Sequence, residues 1–286
     1  MELSKFINEN IDKLKERGIR VNKYKNLRIL RYNYGEEYGE KQICERYLRG
    51  VVIDEMNMIR CLPPIKAEEI SLGEYRDKYK EKELFPIIDG TMINVFYSGG
   101  KWEISTRSEI GGYNKWSKKK SFRKMFEECL EGGKWCLEDL REDMCYSFVM
   151  RHIENRNVAP IRENEIYLVC MYRLDTLERI ELELENCKKI ESIQLDEGDI
   201  FKTYEFKGYT FYEGGVRYKI KNNMFEEIRE LKGKYNNVSL NYIELRKKGI
   251  LNKYLKYFPE DKSEIEDMRD KIHEITDELF NIYKNV

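Results

Sequence analysis

Short segments in which apolar and polar residues alternate dominate the chain from about residue 27 to residue 220. A period of two is typical of β-strands with one buried face. The segment from Leu84 to Arg107, LFPIIDGTMINVFYSGGKWEISTR, predicts two strands joined by a Gly-Gly turn. The pattern predicts strands in YLRGVVID, MIRCL, TMINVFY, KWEIST, CYSFVM, EIYLVCMYRL, RIELEL and GGVRYKI.

Two helices are predicted before residue 222, one that precedes the strands and one that interrupts them. Residues 3–18 and 121–130 carry apolar residues at helical spacing. After about residue 222 the pattern becomes helical, with segments that end at Gly233 and Gly249. A capping box of Ser263 and Glu266 predicts the start of the last helix.

That last helix carries a continuous apolar seam with spacings of 3, 4, 3, 4 and 3: Ile265, Met268, Ile272, Ile275, Leu279 and Ile282. The seam favours the inner face of a small bundle over a surface that binds a protein partner. Together the patterns predict an α+β protein with an antiparallel-sheet body over 1–221 and a helical C-terminal subdomain over 222–286.

Composition narrows the class of protein. The 286 residues carry a net charge of −1, so any nucleic-acid site must be a local basic patch. The seven cysteines are odd in number and form no CxxC pair, which favours reduced thiols and a cytoplasmic protein. No apolar run approaches membrane-spanning length, so no membrane partner is predicted.

Charged residues recur where the predicted strands begin or end. They are Arg49, Lys66, Asp89, Arg107 and Glu213. In the strand RYKIK, the period of two places three cations on one face: Arg217, Lys219 and Lys221. Such cations repel each other unless an anion lies beside them, so the strand is either a solvated edge or a phosphate-facing one.

A second basic stretch, YNKWSKKKSFRK, mixes cations with aromatic residues. Grooves for single-stranded nucleic acid combine these two residue types. The residues predicted to line such a groove are Lys115, Trp116, Lys118, Lys119, Lys120 and Arg123. The alternative is a solvated loop that leads into the helix at 121.

The order of these groups resembles the covalent nucleotidyltransferases, and among them the RNA ligases of the bacteriophage T4 ligase-1 type. The resemblance runs from about residue 46 to 221 and includes IIDGTMINVFY, where the family has KxDG, followed by STRS, YSFVMRHIENRNV, YEGGV and RYKIKN. It implies a nucleotidyltransferase (ATP-grasp-like) fold and ATP or GTP with magnesium as the ligand, and no other cofactor is predicted. A viral source is also expected.

The resemblance assigns a role to each charged position. The family's lysine attacks the α-phosphate and forms a lysyl–nucleotide. By likeness, Lys219 and Lys221 would face the phosphates, and Arg107 the ribose or a phosphate. Glu213 would be linked to the metal, and Arg49 and Lys66 match basic positions before the nucleophile motif.

Two positions depart from the family pattern. Ile87 stands where the nucleophilic lysine is expected, and Val149 stands after Phe148 where a glutamate is expected. Isoleucine has no lone pair and cannot form the covalent bond. We therefore expect a catalytically inactive protein that binds a nucleotide or an RNA 5′ end, including a cap-like one. The alternative is an ATP-dependent RNA ligase with an inactivating substitution at position 87.

Overall fold

The structure is a computed structural model, and it describes residues 2–32, 46–115, 120–133, 135–181, 184, 187–193, 202–233 and 237–285. The chain divides into two compact units, Met1–Asn222 and Asn223–Val286. Among the described residues, no helix combines the length and the apolar character that crossing a bilayer requires.

In the part of the chain that the structure describes, the first unit contains three α-helices and thirteen strands. The helices are α1 (Glu2–Asn10), α2 (Leu72–Lys78) and α3 (Phe122–Gly133). The strands are β1 (Ile19–Tyr24), β2 (Leu27–Tyr32), β3 (Arg49–Asp54), β4 (Ile59–Cys61), β5 (Glu68–Glu69), β6 (Phe85–Ile88), β7 (Thr91–Ser98), β8 (Lys101–Ser105), β9 (Met144–Arg151), β10 (Glu165–Arg173), β11 (Arg179–Ile180), β12 (Phe206–Glu213) and β13 (Val216–Lys221).

The strands form three sheets in which all pairs except β5–β13 are antiparallel. The strand orders are β1-β2-β3-β4, β11-β10-β9-β7-β8 and β5-β13-β12-β6. This confirms the predicted α+β class, with an antiparallel-sheet body and C-terminal helices.

The five-stranded sheet has a core on each face because its strands alternate side chains between the two faces. On one face, Phe148 and its neighbours pack under α3. On the other face, Phe96, Cys145 and Cys170 join the core formed by α1 and the first sheet. The third sheet packs one face against α2, through a core that includes Tyr75 and Phe211.

The predicted hairpin is confirmed as β7 and β8. Its turn residues Gly99 and Gly100 have φ of 61° and 78°. Two consecutive positive φ angles are the conformation that a two-residue hairpin turn of type I′ requires, and glycine adopts it without a steric penalty. The predicted helix at 121–130 is confirmed as α3.

Two predictions in the first unit were too long. The helix predicted over 3–18 ends at Asn10, and a single 3-10 turn, Ile11–Lys13, follows it. The apolar face is nevertheless buried through Leu14, because the chain turns toward β1 under the same core. Of the described residues in the predicted strand RIELEL, only Arg179 and Ile180 form a strand.

Over its described residues, the second unit contains four α-helices: α4 (Asn223–Lys232), α5 (Val238–Lys248), α6 (Leu251–Tyr257) and α7 (Lys262–Lys284). Gly233 and Gly249 have φ of 78° and 69°, as a left-handed C-cap requires. The predicted capping box was wrong, because α7 begins at Lys262 and Ser263 lies inside it.

The apolar seam of α7 is not the inner face of a bundle. Ile265 is buried, but the burial ends within two turns, and Ile275, Leu279 and Ile282 are exposed. The helix is longer than its described partners α5 and α6, so its C-terminal half extends beyond them.

Candidate phosphate-binding site

Asp89 holds two segments of the first unit together. Its side chain is 2% exposed, and Oδ2 accepts hydrogen bonds from the backbone N–H groups of Val158 and Ala159, both at 2.8 Å. These bonds tie the loop after β9 to the connection between β6 and β7. Two motifs that are distant in sequence, IIDG and HIENRNV, therefore meet at one carboxylate.

Gly90 lies where no side chain fits. A Cβ at this position would be 2.4 Å from the carbonyl oxygen of Met150 and 2.7 Å from Cγ1 of Val149. Val149 is 6% exposed and points to the opposite face of β9 from Phe148. The position where the family resemblance expects a glutamate is therefore filled by an apolar side chain packed beside the Asp89-Gly90 connection.

Ile87 lies in β6, two residues before Asp89, and is partly exposed. The neighbouring strand β12 has a bulge at this level: Phe206 pairs with Ile88 and Tyr209 pairs with Pro86. Two residues of β12 therefore stand opposite the single residue Ile87.

Those two residues are Lys207 and Gly208, which were not among the residues predicted from the sequence. The ammonium of Lys207 lies 3.1 Å from Oδ1 of Asp89. The side chain of Lys207 is 36% exposed, so the charge is at the edge of the solvent. The sequence signal for this feature is the glycine within FKGYTFY, since a glycine inside a strand pattern indicates a bulge.

The cations of β13 lie on one face, as predicted, because the intervening Tyr218 and Ile220 pack on the other face against the α2 core. An intrachain carboxylate balances two of the cations. Glu69 of β5 contacts Lys219 at 3.3 Å and Lys221 at 2.7 Å. The hydrogen bond from Lys221, with that from Lys219, lowers the pKa of Glu69. The carboxylate of Glu69 thus offsets the repulsion between these two lysines, and the sequence pattern does not predict this contact.

Arg217, the third cation of this face, points into the protein. It is 9% exposed, and its Nε donates to Oγ1 of Thr210 at 3.1 Å. Burial raises the pKa of the nearby Tyr212, and the charge of Arg217 offsets part of that rise. The position of Arg217 differs from that of Lys219 and Lys221, which are partly exposed.

Two more of the predicted cations meet around one aromatic ring. The ammonium of Lys66 lies 5.9 Å from the centre of the Tyr32 ring, and the guanidinium of Arg107 lies 5.5 Å from it. Gly50 lies against the backbone of Arg107, where a Cβ would come within 2.9 Å of the Arg107 carbonyl oxygen. Arg49 precedes Gly50 and pairs in the β2–β3 ladder with Arg31, the residue before Tyr32.

The two groups of cations are close to each other. Lys66 is three residues before Glu69, which contacts Lys219 and Lys221. An extended chain spans at most about 3.6 Å per residue, so the Cα atoms of Lys66 and Glu69 are within about 11 Å. On the other side, Lys221 pairs with Gly208, the residue after Lys207. Cations thus follow a continuous path from Arg107 to Lys207.

Glu213, the residue expected to be linked to the metal, forms an ion pair with Lys82. Oδ2 of Asp89 accepts two backbone hydrogen bonds, and Oδ1 faces the ammonium of Lys207. Magnesium requires oxygen ligands, most often carboxylates, and position 149 offers none. The side chains at these positions therefore do not fit a magnesium ion, whereas the cations fit phosphate oxygens.

The second basic stretch is only partly within the described residues. Lys115 is exposed, while Trp116, Lys118 and Lys119 lie outside the described ranges. Lys120 contacts Glu128 and Glu154, and Arg123 donates to the carbonyl oxygen of Gly111 at 2.8 Å. The predicted nucleic-acid groove here stays a prediction, and two of its six cationic or aromatic members already have intrachain partners.

Glu128, His152 and Glu154 bring three potential metal ligands together, with their ligand atoms within 4.8 Å of one another. The backbone N–H of Glu154 donates to Nδ1 of His152, so the ring proton is on Nε2, which donates to Glu128 at 2.8 Å. The ammonium of Lys120 contacts both carboxylates and lowers the pKa of Glu128. A lysine thus holds the cation position, and His152 is held by two intrachain hydrogen bonds.

Comparison with solved structures finds a similar fold in a ligase. A putative ATP-dependent DNA ligase from Aquifex aeolicus is similar over 94% of this chain and 75% of its own, with a TM-score of 0.51 and 14% identity. An RNA ligase from Naegleria gruberi, solved with PPi, is similar over 58% of each chain, with a TM-score of 0.41 and 13% identity. At these identities, the likeness to the Aquifex aeolicus ligase shows the fold alone.

A viral protein is similar in sequence. It is an immediate-early protein ICP-46 homolog from Invertebrate iridescent virus 3, 23% identical over 235 residues. The match covers 74% of this chain and 52% of the viral protein, so the chain spans about half the length of that relative. The chain matches no established protein-family profile.

Proposed function

We propose that this protein uses a ligase-type fold to bind the phosphates of a nucleotide or of an RNA 5′ end, without forming a covalent nucleotide at residue 87. The observation that carries the proposal is the path of cations from Arg107 through Lys66, Lys219 and Lys221, beside a strand that presents Ile87. The T4 ligase-1 resemblance and the loss of the lysine at position 87 support the same function. Each charge-assisted contact of this kind contributes about 1.5–3 kcal/mol.

Binding without covalent chemistry is the first expected result. In calorimetric titrations, RNAs with a 5′ monophosphate, a 5′ triphosphate or a methylated cap should show saturable binding that depends on the 5′ end. The log of the binding constant should fall with the log of the salt concentration, with a slope of about −0.7 per phosphate contact. ATP and GTP, titrated alone, test the free nucleotide. The absence of binding to all five ligands would overturn the proposal.

The alternative function, a ligase that lacks its nucleophile, makes a different prediction for Ile87→Lys. We expect this variant to form no covalent nucleotide with ATP or GTP. Val149 stands where the family resemblance expects a glutamate, so the site also lacks that carboxylate. Intact-protein mass spectrometry after incubation with each nucleotide measures the adduct. A stoichiometric adduct on the variant, absent from the natural chain, would favour the alternative.

Glu69 should compete with the ligand for the β13 lysines. We expect Glu69→Gln to raise the affinity for ATP about fivefold, because it removes an anion whose ion pair contributes up to about 1 kcal/mol. Glu74→Gln is the matched control, since Glu74 pairs with Lys78 on the surface of α2. An unchanged or lowered affinity in Glu69→Gln would show that Lys219 and Lys221 do not contact the phosphates.

A further inference from the structure

The bulge in β12 places a lysine opposite the residue that the family resemblance identifies with the nucleophile. Lys207 and Gly208 together oppose Ile87 across the β6–β12 pair. Directly opposed residues in a sheet share a face, and their Cα atoms are about 4.5–5.5 Å apart. A lysine side chain is long enough to bring its ammonium from β12 to the space in front of β6.

The backbone around Lys207 is fixed on both sides. Gly208 has a φ of 147°, and a Cβ there would lie 2.1 Å from the carbonyl oxygen of Ile220, so the bulge depends on glycine. The buried Asn222 donates through Nδ2 to the carbonyl oxygens of Thr203 and Phe206, at 2.7 and 3.0 Å. The Asn222 backbone N–H donates to the carbonyl oxygen of Lys207 at 3.1 Å. The direction in which Lys207 leaves the strand is therefore set by the fold.

The ammonium of Lys207 keeps donors for a ligand. It contacts Oδ1 of Asp89, whose other oxygen is held by two backbone N–H groups. An ammonium carries three N–H donors, and its 3.1 Å approach to Oδ1 of Asp89 is an ion pair without hydrogen-bond geometry. Because the side chain is partly exposed, these donors can reach a phosphate oxygen from solvent.

We propose that Lys207 replaces, from the neighbouring strand, the cation that is missing at Ile87, and binds a phosphate of the ligand non-covalently. This inference rests on the proposed function. It places a cation at the end of the path that begins at Arg107, next to Lys221 through the Gly208–Lys221 pair. The ligand chemistry is a phosphate ester or anhydride, supplied by a nucleoside triphosphate or by an RNA 5′ end.

The test compares Lys207→Met and Lys207→Arg with the natural chain. We expect Lys207→Met to weaken binding about 10- to 100-fold, and Lys207→Arg to retain most of the affinity. Lys82→Met is the matched control, since Lys82 is a partly exposed lysine that is paired with Glu213, and it should bind as the natural chain does. The probes are ATP and a 5′-triphosphate RNA in separate titrations, which distinguish the two sources of phosphate.

A second measurement uses the natural chain and needs no folded variant. Acetylation by acetic anhydride, followed by peptide mass spectrometry, should be slower at Lys207 in saturating ATP or 5′-triphosphate RNA and unchanged at Lys82. Equal rates at Lys207, or equal affinity in Lys207→Met, would overturn this inference while leaving the proposed function standing. A natural chain that binds neither probe would overturn the proposed function itself. A nucleotide adduct on Lys207 in the same spectra would contradict the non-covalent role.

Discussion

Gly208→Ala is expected to lower the free energy of unfolding of the first unit by at least about 3 kcal/mol, because the position combines an obligate glycine conformation with a backbone clash. The φ is 147°, and the added methyl group would be 2.1 Å from the carbonyl oxygen of Ile220. That oxygen belongs to the strand partner and cannot rotate away. Urea unfolding followed by circular dichroism measures the change.

The matched control is Gly214→Ala in the turn of the same β12–β13 pair. Gly214 has a φ of 55°, but a Cβ there would meet no atom within 4 Å. The decrease in the free energy of unfolding then comes from the left-handed conformation alone and is about 1–2 kcal/mol. If Gly208→Ala unfolded at the same urea concentration as Gly214→Ala, the bulge would not depend on glycine, and the fixed direction of Lys207 would lose its support.

Asp89→Ala is expected to have an effect of similar size. The substitution leaves the N–H groups of Val158 and Ala159 without their acceptor, and each buried unsatisfied donor costs about 1–3 kcal/mol. Since Asp89 is 2% exposed, water cannot easily take its place. We expect the free energy of unfolding to fall by about 2–5 kcal/mol, measured in the same urea experiment.

Asp89→Asn separates the hydrogen bonds from the charge. The amide oxygen can still accept from Val158 and Ala159, while the contact with Lys207 loses its ionic component. Asn should therefore be less destabilising than Ala. If Ala were tolerated as well as the natural aspartate, Asp89 would not hold the loop after β9.

Local patterns were sufficient wherever neighbours in sequence determine the structure. The Gly99-Gly100 turn, the face of β13 and the glycine ends of α4 and α5 follow from backbone conformation and a period of two or 3.6. The start of α7 could not be predicted in this way. Ser263 and Glu266 have the spacing of a capping box, but the preceding 3-10 turn, Pro259–Asp261, leads directly into the helix at Lys262.

The arrangement of the candidate site depends on contacts between residues that are distant in sequence, and residue spacing does not predict them. The sequence identified Arg49, Lys66 and Arg107 as separate cations. Lys66 follows β4 of the first sheet and Arg107 follows β8 of the five-stranded sheet, so the meeting of these two at Tyr32 depends on the packing of two sheets. The pairing of Glu69 with the β13 lysines depends on a two-residue parallel bridge. The strand β12 itself was not predicted, so Lys207 had no place in the expected site.

Two tryptophans lie on one face of the five-stranded sheet, so their fluorescence reports on the packing of that face. Trp135 contacts Phe148 in the core under α3, with ring centres 5.7 Å apart, and Trp102 contacts Tyr146 in the same core. Val149, beside Gly90, points to the other face. Trp116, the third tryptophan, lies outside the described ranges, so a Trp116→Phe background isolates the emission of these two indoles. That emission follows the opening of the α3 core, whereas Gly90 lies beside a residue of the opposite face of β9. A substitution that abolishes phosphate binding while leaving their emission maximum unchanged would have altered the site and not the fold.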